Sequence, residues 1–65
     1  MTPSQKKIER SYQRAMNIRD STPGNDHKAE ERYTQAYIRC YRNGKVREFS
    51  KETRRYLKQL RAMAV

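Results

Sequence analysis

The chain has 65 residues and a formal net charge of +9 at pH 7, from sixteen Lys or Arg and seven Asp or Glu. This length allows one small domain, residues 1–65, and excludes both a second domain and a large enzyme core. No apolar run is long enough for a transmembrane helix. Only eight residues are Leu, Ile, Val or Phe, which in so charged a chain is typical of intrinsic disorder.

Five tyrosines argue against disorder. Each ring can bury a large apolar area while its hydroxyl finds a polar partner. The chain also has only two Gly and two Pro and no low-complexity run. We therefore expect a small fold with a thin core, which a homodimer or another partner would stabilise.

The first helix is predicted over residues 3–20. Thr2 can cap it, Pro3 suits the first helical position, and Gln5 completes a capping-box spacing. The apolar stripe consists of Ile8, Ser11, Tyr12, Ala15 and Ile18, opposite Lys6, Lys7, Arg10 and Arg14. A segment rich in turn formers, residues 20–25 with Pro23 and Gly24, follows this helix.

The second helix is predicted over residues 26–43, with Asn25 or Asp26 as its cap. Gly44 can adopt the left-handed conformation that ends a helix. Ile38 lies off the apolar stripe, toward the polar side. The stripe itself comprises Ala29, Tyr33, Ala36, Tyr37, Cys40 and Tyr41.

The third helix is predicted over residues 50–62, with Ser50 as its cap and residues 45–48 as a short connector, extended in conformation. Its inner face comprises Phe49, Thr53, Tyr56, Leu57, Leu60 and Met63. Short connections favour an antiparallel hairpin of the first two helices, closed by the third. The predicted fold class is thus an all-α, three-helix domain.

Positive charge is concentrated in the second half, where residues 32–65 carry a net +8. A solvated helix face explains why these positions are polar, but an ordinary one mixes acids and bases. A field of one sign attracts polyanions, so we predict a nucleic-acid-binding protein. The predicted contact residues are Arg39, Arg42, Lys45, Arg47, Lys51, Arg54, Arg55, Lys58 and Arg61.

The form of nucleic acid, DNA or RNA, and any sequence specificity stay open. Arg54 and Arg55, expected near the start of the third helix, are the best candidates for contacting bases. The predicted connector from Gly44 to Phe49 is too long for a helix-turn-helix. Stacking of Tyr33, Tyr37 and Tyr41 on unpaired bases is possible, but their helical spacing favours core packing.

The alternative function is a protein-interaction regulator, an adaptor or inhibitor that docks on an acidic surface of a larger partner. Its interface would comprise Tyr37, Ile38 and Tyr41. A membrane-surface role is less favoured, because the apolar face of the third helix is needed for the core and lacks tryptophan.

The sequence does not favour catalysis or a cofactor. No phosphate-binding glycine loop or nucleophile motif is present, and one Cys with one His cannot form a four-ligand zinc site. Cys40 lies on an apolar face, which favours a buried packing role, and His27 near a helix start is interpreted as a first-turn or loop residue. A single Cys and no apolar N-terminal stretch favour a cytoplasmic location.

Overall fold

The computed structural model of the protein describes residues 2–22 and 27–63. Three helices follow one another, α1 (Pro3–Asp20), α2 (His27–Asn43) and α3 (Val46–Met63), with no strand in these two ranges. The predicted all-α class is confirmed, as are the bounds of the first helix. The predicted turn at Pro23 and Gly24 and the predicted caps Asn25 and Asp26 lie outside the described residues.

The start of α1 is the capping box that the sequence predicts. The Gln5 backbone N–H donates to the Thr2 hydroxyl oxygen at 3.2 Å, and the Gln5 side-chain oxygen accepts from the Thr2 N–H at 3.1 Å. Pro3 occupies the first helical position, where its missing N–H removes no hydrogen bond. The helix therefore begins where its free N–H groups find side-chain partners.

The end of α2 is also as predicted, at Gly44. This glycine has φ +65°, a conformation that costs an L-residue roughly 1–2 kcal/mol. The Lys45 N–H donates to the Cys40 carbonyl at 3.0 Å, and the Gly44 N–H lies 3.4 Å from the Tyr41 carbonyl oxygen. This pair of bonds is the Schellman motif, which satisfies the last carbonyls of a helix.

The predicted start of the third helix at Ser50 is wrong, because α3 begins four residues earlier, at Val46. The Phe49 N–H already donates to the Lys45 carbonyl at 3.1 Å. The extra turn packs Val46 against the core and places Glu48 where the helix dipole favours an acid. The connection is therefore only Gly44 and Lys45, and residues 46–48 are helical instead of extended.

Neighbouring helices in the chain run antiparallel, as predicted for the first two. The Gln5 side-chain amide donates to the Tyr41 carbonyl at 3.3 Å, and at the other end of the pair Arg19 forms an ion pair with Glu30. The first contact places the start of α1 beside the end of α2, and the second places the end of α1 beside the start of α2. The two helices are therefore antiparallel.

The pair α2 and α3 is held in the same way. Arg39 lies 3.4 Å from Glu48 near the connection, the Tyr33 hydroxyl lies 2.9 Å from that of Thr53 midway along, and both helices line a small cavity further on. Side-by-side packing along this length differs from the steep crossing of a helix-turn-helix. Because the connection is shorter than predicted, its length no longer argues against a helix-turn-helix. The side-by-side packing of α2 and α3 argues against it instead.

Aromatic rings from all three helices meet at Tyr33 in the core. Its ring stacks on Tyr56 at 4.5 Å, on Phe49 at 5.2 Å and on Tyr12 at 5.6 Å between centroids. Stacked aromatic pairs contribute about 0.5–1.5 kcal/mol beyond their buried area. Tyr33 therefore joins α1 and α3 to α2.

Most of the predicted core is confirmed. Cys40 is fully buried, and burial raises the pKa of its thiol, as expected for a packing role. Ile18 is an exception, because its side chain is 40% exposed. Met16 and Val46 also pack against the core, although neither belonged to the predicted stripes. The Met63 side chain lies outside the described residues. The buried residues among those described are Ile8, Ala15, Tyr33, Ala36, Cys40, Phe49, Tyr56 and Leu60.

Two tyrosine hydroxyls in this core predict opposite effects of the same substitution. The Tyr33 hydroxyl donates to Thr53, whose own hydroxyl donates to the Phe49 carbonyl, whereas the buried Tyr56 hydroxyl has no hydrogen-bond partner among the described residues. We expect Tyr33→Phe to lower the free energy of unfolding by about 1 kcal/mol and Tyr56→Phe to leave it equal or higher. Urea unfolding followed by circular dichroism measures both, and a larger loss in Tyr56→Phe would contradict the described packing.

The same tyrosines predict a loss of stability at alkaline pH. Burial raises the pKa of Tyr33 to about 12 and also raises that of Tyr56, whereas an unfolded tyrosine ionises near pH 10. Above that pH the unfolded state loses protons first, so the free energy of unfolding falls by up to about 1.4 kcal/mol per pH unit for each such tyrosine.

Urea unfolding at pH 8, 10 and 11 tests this loss, with Tyr33→Phe as the control that keeps every lysine. The variant should lose less stability than the natural protein over this range. Equal losses in the two proteins would show that Tyr33 makes no contribution.

Candidate nucleic-acid interface

Five of the predicted contact residues form one row on α3, which we name the basic stripe. Alternating spacings of four and three residues place them on a single side of the helix, and the row spans about 21 Å at 1.5 Å per residue. Every member is exposed. The members are Arg47, Lys51, Arg54, Lys58 and Arg61.

The stripe faces solvent because the opposite side of α3 is buried. Phe49, Tyr56 and Leu60 lie in the core, about half a turn from the stripe. No ion pair in the described part of the chain involves a stripe residue; the pairs there involve Arg19, His27, Arg39 and Lys45. The positive charge of the stripe is therefore uncompensated by near neighbours.

The structure places the other predicted contact residues elsewhere. Arg39 and Lys45 share Glu48, at 3.4 and 3.9 Å, which offsets part of their charge. Arg55 borders α2 instead of joining the stripe, since it and Glu52 line a cavity of about 10 Å³ between α2 and α3. Arg42 is exposed in the last turn of α2. The nine predicted residues thus divide into a five-residue stripe and four dispersed cations.

The expectation that Arg54 and Arg55 lie near the start of the third helix is wrong. Since α3 begins at Val46 and ends at Met63, both arginines lie in the middle of the helix. A helix-turn-helix recognition helix contacts bases with its N-terminal residues, so this position removes the reason for assigning base contacts to the two arginines.

The tyrosines of α2 pack inward, as their spacing favours. Tyr33 is buried, and Tyr37 is half-buried with its ring 4.1 Å from that of Tyr12. Tyr41 is half-buried beside Tyr37. Of the residues proposed for a protein interface, Ile38 alone is exposed, at 51%. That interface stays a prediction.

Helix α1 adds basic residues that the sequence prediction left out. Contacts of Gln5 and Tyr12 mark the side of α1 that faces α2, and buried Ile8 marks the core. Successive residues of a helix are about 100° apart. On this geometry Lys7 and Arg14 lie on the side of α1 that is separated from α2 by the core residues. This side borders α3. Both are exposed, as is Arg10 near them.

The acidic residues lie on other sides of the bundle. Glu48 pairs with Arg39 of α2, and Glu52 lines the cavity against α2. On α1, Asp20 pairs with Arg19, which in turn reaches Glu30 of α2. These positions keep the described acids of α1 and α3 on the sides next to α2.

Glu9, the remaining described acid of α1, also lies on the side next to α2. Burial raises the pKa of Tyr37 on α2, and the negative charge of Glu9 raises it further. The exposed surface shared by α1 and α3 therefore carries bases and none of the described acids. We name this surface the cationic face; its residues are Lys7, Arg10, Arg14, Arg47, Arg54 and Arg61, with Lys51 and Lys58 at its edge.

A shallow depression of about 400 Å³ lies on the cationic face. Its lining combines one apolar side chain, Leu57, with Arg54, Lys58 and Arg61. Three cations therefore surround a half-buried leucine on this face.

The described residues show neither a metal-binding cluster nor a membrane-spanning helix. Residues 2–22 and 27–63 contain no group of three or more His, Cys, Asp or Glu arranged to hold a metal ion. No described helix is long and apolar enough to cross a bilayer. Comparison with known protein families, curated proteins and solved structures finds no match, so the geometry alone supports a function.

Proposed function

We propose that this protein is a non-enzymatic nucleic-acid-binding protein, cytoplasmic and regulatory in role, that contacts phosphates through the basic stripe of α3. The observation that carries the proposal is the separation of charge in the folded chain. Bases gather on the surface shared by α1 and α3, while the described acids of these helices lie next to α2. This separation makes one surface strongly attractive to a polyanion.

The chemistry of the stripe fits phosphate oxygens. Arg47, Arg54 and Arg61 carry planar guanidinium groups that can donate two parallel hydrogen bonds to a phosphate, and the two lysines add point charges. Each phosphate neutralised by a cation releases a condensed counterion, and this release drives binding. Cations already paired with a carboxylate release less, so the unpaired stripe contributes more than Arg39 or Lys45.

The proposal predicts how salt affects binding when stripe charges are removed. On duplex DNA, the logarithm of the association constant falls with log salt with a slope of about −0.9 per phosphate contact. The triple variant Arg54→Gln, Lys58→Gln and Arg61→Gln should therefore bind more weakly and with a slope shallower by about 2.7. Fluorescence anisotropy of a labelled 20-base-pair duplex between 50 and 200 mM salt measures both quantities.

A matched variant controls for net charge. Lys28→Gln, Arg32→Gln and Gln35→Glu together lower the net charge by three at exposed positions of α2, away from the cationic face, and the slope should stay close to that of the natural protein. Absence of binding by the natural protein at 50 mM salt contradicts the proposal. Equal weakening in the two triple variants would do so too, since it would indicate general attraction to net charge.

A further inference from the structure

We propose that the cationic face binds double-stranded nucleic acid by straddling a groove, with the bases of α1 on one backbone and the basic stripe on the other, independently of sequence. This inference rests on the proposed function and names the form of nucleic acid that the face accepts. Two features of the described residues support it, the two rows of cations and the lack of an exposed aromatic ring, together with the general spacing and width of packed helices.

The first feature is a second row of cations on α1. Lys7, Arg10 and Arg14 are exposed and extend over about 10 Å of the helix. Helices α1 and α3 run parallel, because each is antiparallel to α2. Neither row has an ion-pair partner among the described residues. The face thus presents two parallel, uncompensated rows.

The usual spacing of packed helices falls between the widths of the two grooves of B-DNA. Packed helices lie about 8–10 Å apart, and the grooves of B-DNA are about 6 and 12 Å wide. Flexible Lys and Arg stems absorb the difference of a few ångströms. Each row can then follow one of the two backbones beside a groove, whereas a single strand offers one backbone and leaves one row unused.

The width of the helix pair keeps it outside the groove. One helix with its side chains is about 10–12 Å across, so two packed side by side are too wide for the major groove, which admits one helix. Contacts are therefore made with phosphates and sugars, which carry no sequence information directly.

The aromatic side chains are not available to bind single-stranded nucleic acid by stacking on its bases. Proteins that bind unpaired nucleic acid stack exposed aromatic side chains on successive bases, which contributes about 1–3 kcal/mol per base. Here all six aromatic side chains are buried or half-buried, and most stack on one another. The surface therefore binds through charge and shape. A duplex offers such a surface more phosphates per unit length than a single strand does.

The test compares two variants that each lose three charges. Lys7→Gln, Arg10→Gln and Arg14→Gln remove the α1 row, and Lys28→Gln, Arg32→Gln and Gln35→Glu on α2, which lower the net charge equally, serve as the matched control. Anisotropy titrations use two 20-base-pair duplexes of unrelated sequence, a 20-nucleotide oligo(dT) and vesicles containing phosphatidylserine. Circular dichroism checks that each variant is helical, and Arg14→Gln alone, with an expected slope change of about 0.9, replaces the α1 triple variant if it does not fold.

We expect the natural protein to bind both duplexes with equal affinity and more tightly than oligo(dT). Loss of the α1 row should reduce the salt slope on duplex by about 2.7, while oligo(dT) binding stays equal to that of the control. An unchanged duplex slope in the α1 variant, with binding still lost in the α3 variant, would overturn the straddling arrangement and leave the proposed function intact.

Three other outcomes would also overturn the proposal that the cationic face straddles a duplex groove. Tighter binding to oligo(dT) than to duplex, or a strong preference for one of the two sequences, would overturn this inference alone. Absence of binding to any nucleic acid would overturn the proposed function with it. Binding to the vesicles without binding to duplex would assign the cationic face to anionic lipid instead.

Discussion

The stack of aromatic rings around Tyr33 is the interaction on which the rest of the structure depends. With only eight Leu, Ile, Val or Phe residues in the chain, aliphatic packing cannot join three helices. Tyr33 contacts rings from both other helices, at centroid distances of 4.5–5.6 Å. Because the tyrosines form this core, none of them is fully exposed on the surface. Recognition of a partner therefore depends on charge.

The packing order of the helices determines how that charge is distributed. Helix α2 lies against both neighbours, and Glu30 and Glu48 form their ion pairs there, with Arg19 and Arg39. Apart from Lys6 and Arg55, the bases of α1 and α3 that have no such partner lie on the remaining shared side. A chain with a general excess of positive charge thereby acquires one face without a described acid. This separation, more than the net charge of +9, distinguishes the protein from a basic disordered tail.

Much of the fold could be predicted from local chemistry. The Thr2–Gln5 capping box and the glycine stop at Gly44 depend on residues close in sequence, and both are confirmed. The start of α3 was missed because Ser50 looks like a cap, whereas the helix begins earlier so that Val46 can reach the core. A cap preference of about 1 kcal/mol is overridden by such packing.

The site could be predicted only in part, for a related reason. The basic stripe follows from spacing within one helix, so sequence alone was sufficient to find it. The α1 row requires knowledge of which side of α1 meets α3, which depends on tertiary contacts such as that of Tyr12 with Thr34. Arg55 directly follows Arg54 in the sequence and was predicted as a contact residue, but in the fold it borders α2.

The most direct test of the account is a map of the binding surface by nuclear magnetic resonance. Protein labelled with ¹⁵N would be titrated with a 20-base-pair duplex while the amide shifts of all three helices are followed. We predict shifts concentrated at residues 7–14 and 47–61, with the exposed residues Glu31, Gln35 and Ile38 on the outer side of α2 unaffected. Shifts centred on α2 around Ile38, with the cationic face unchanged, would contradict it.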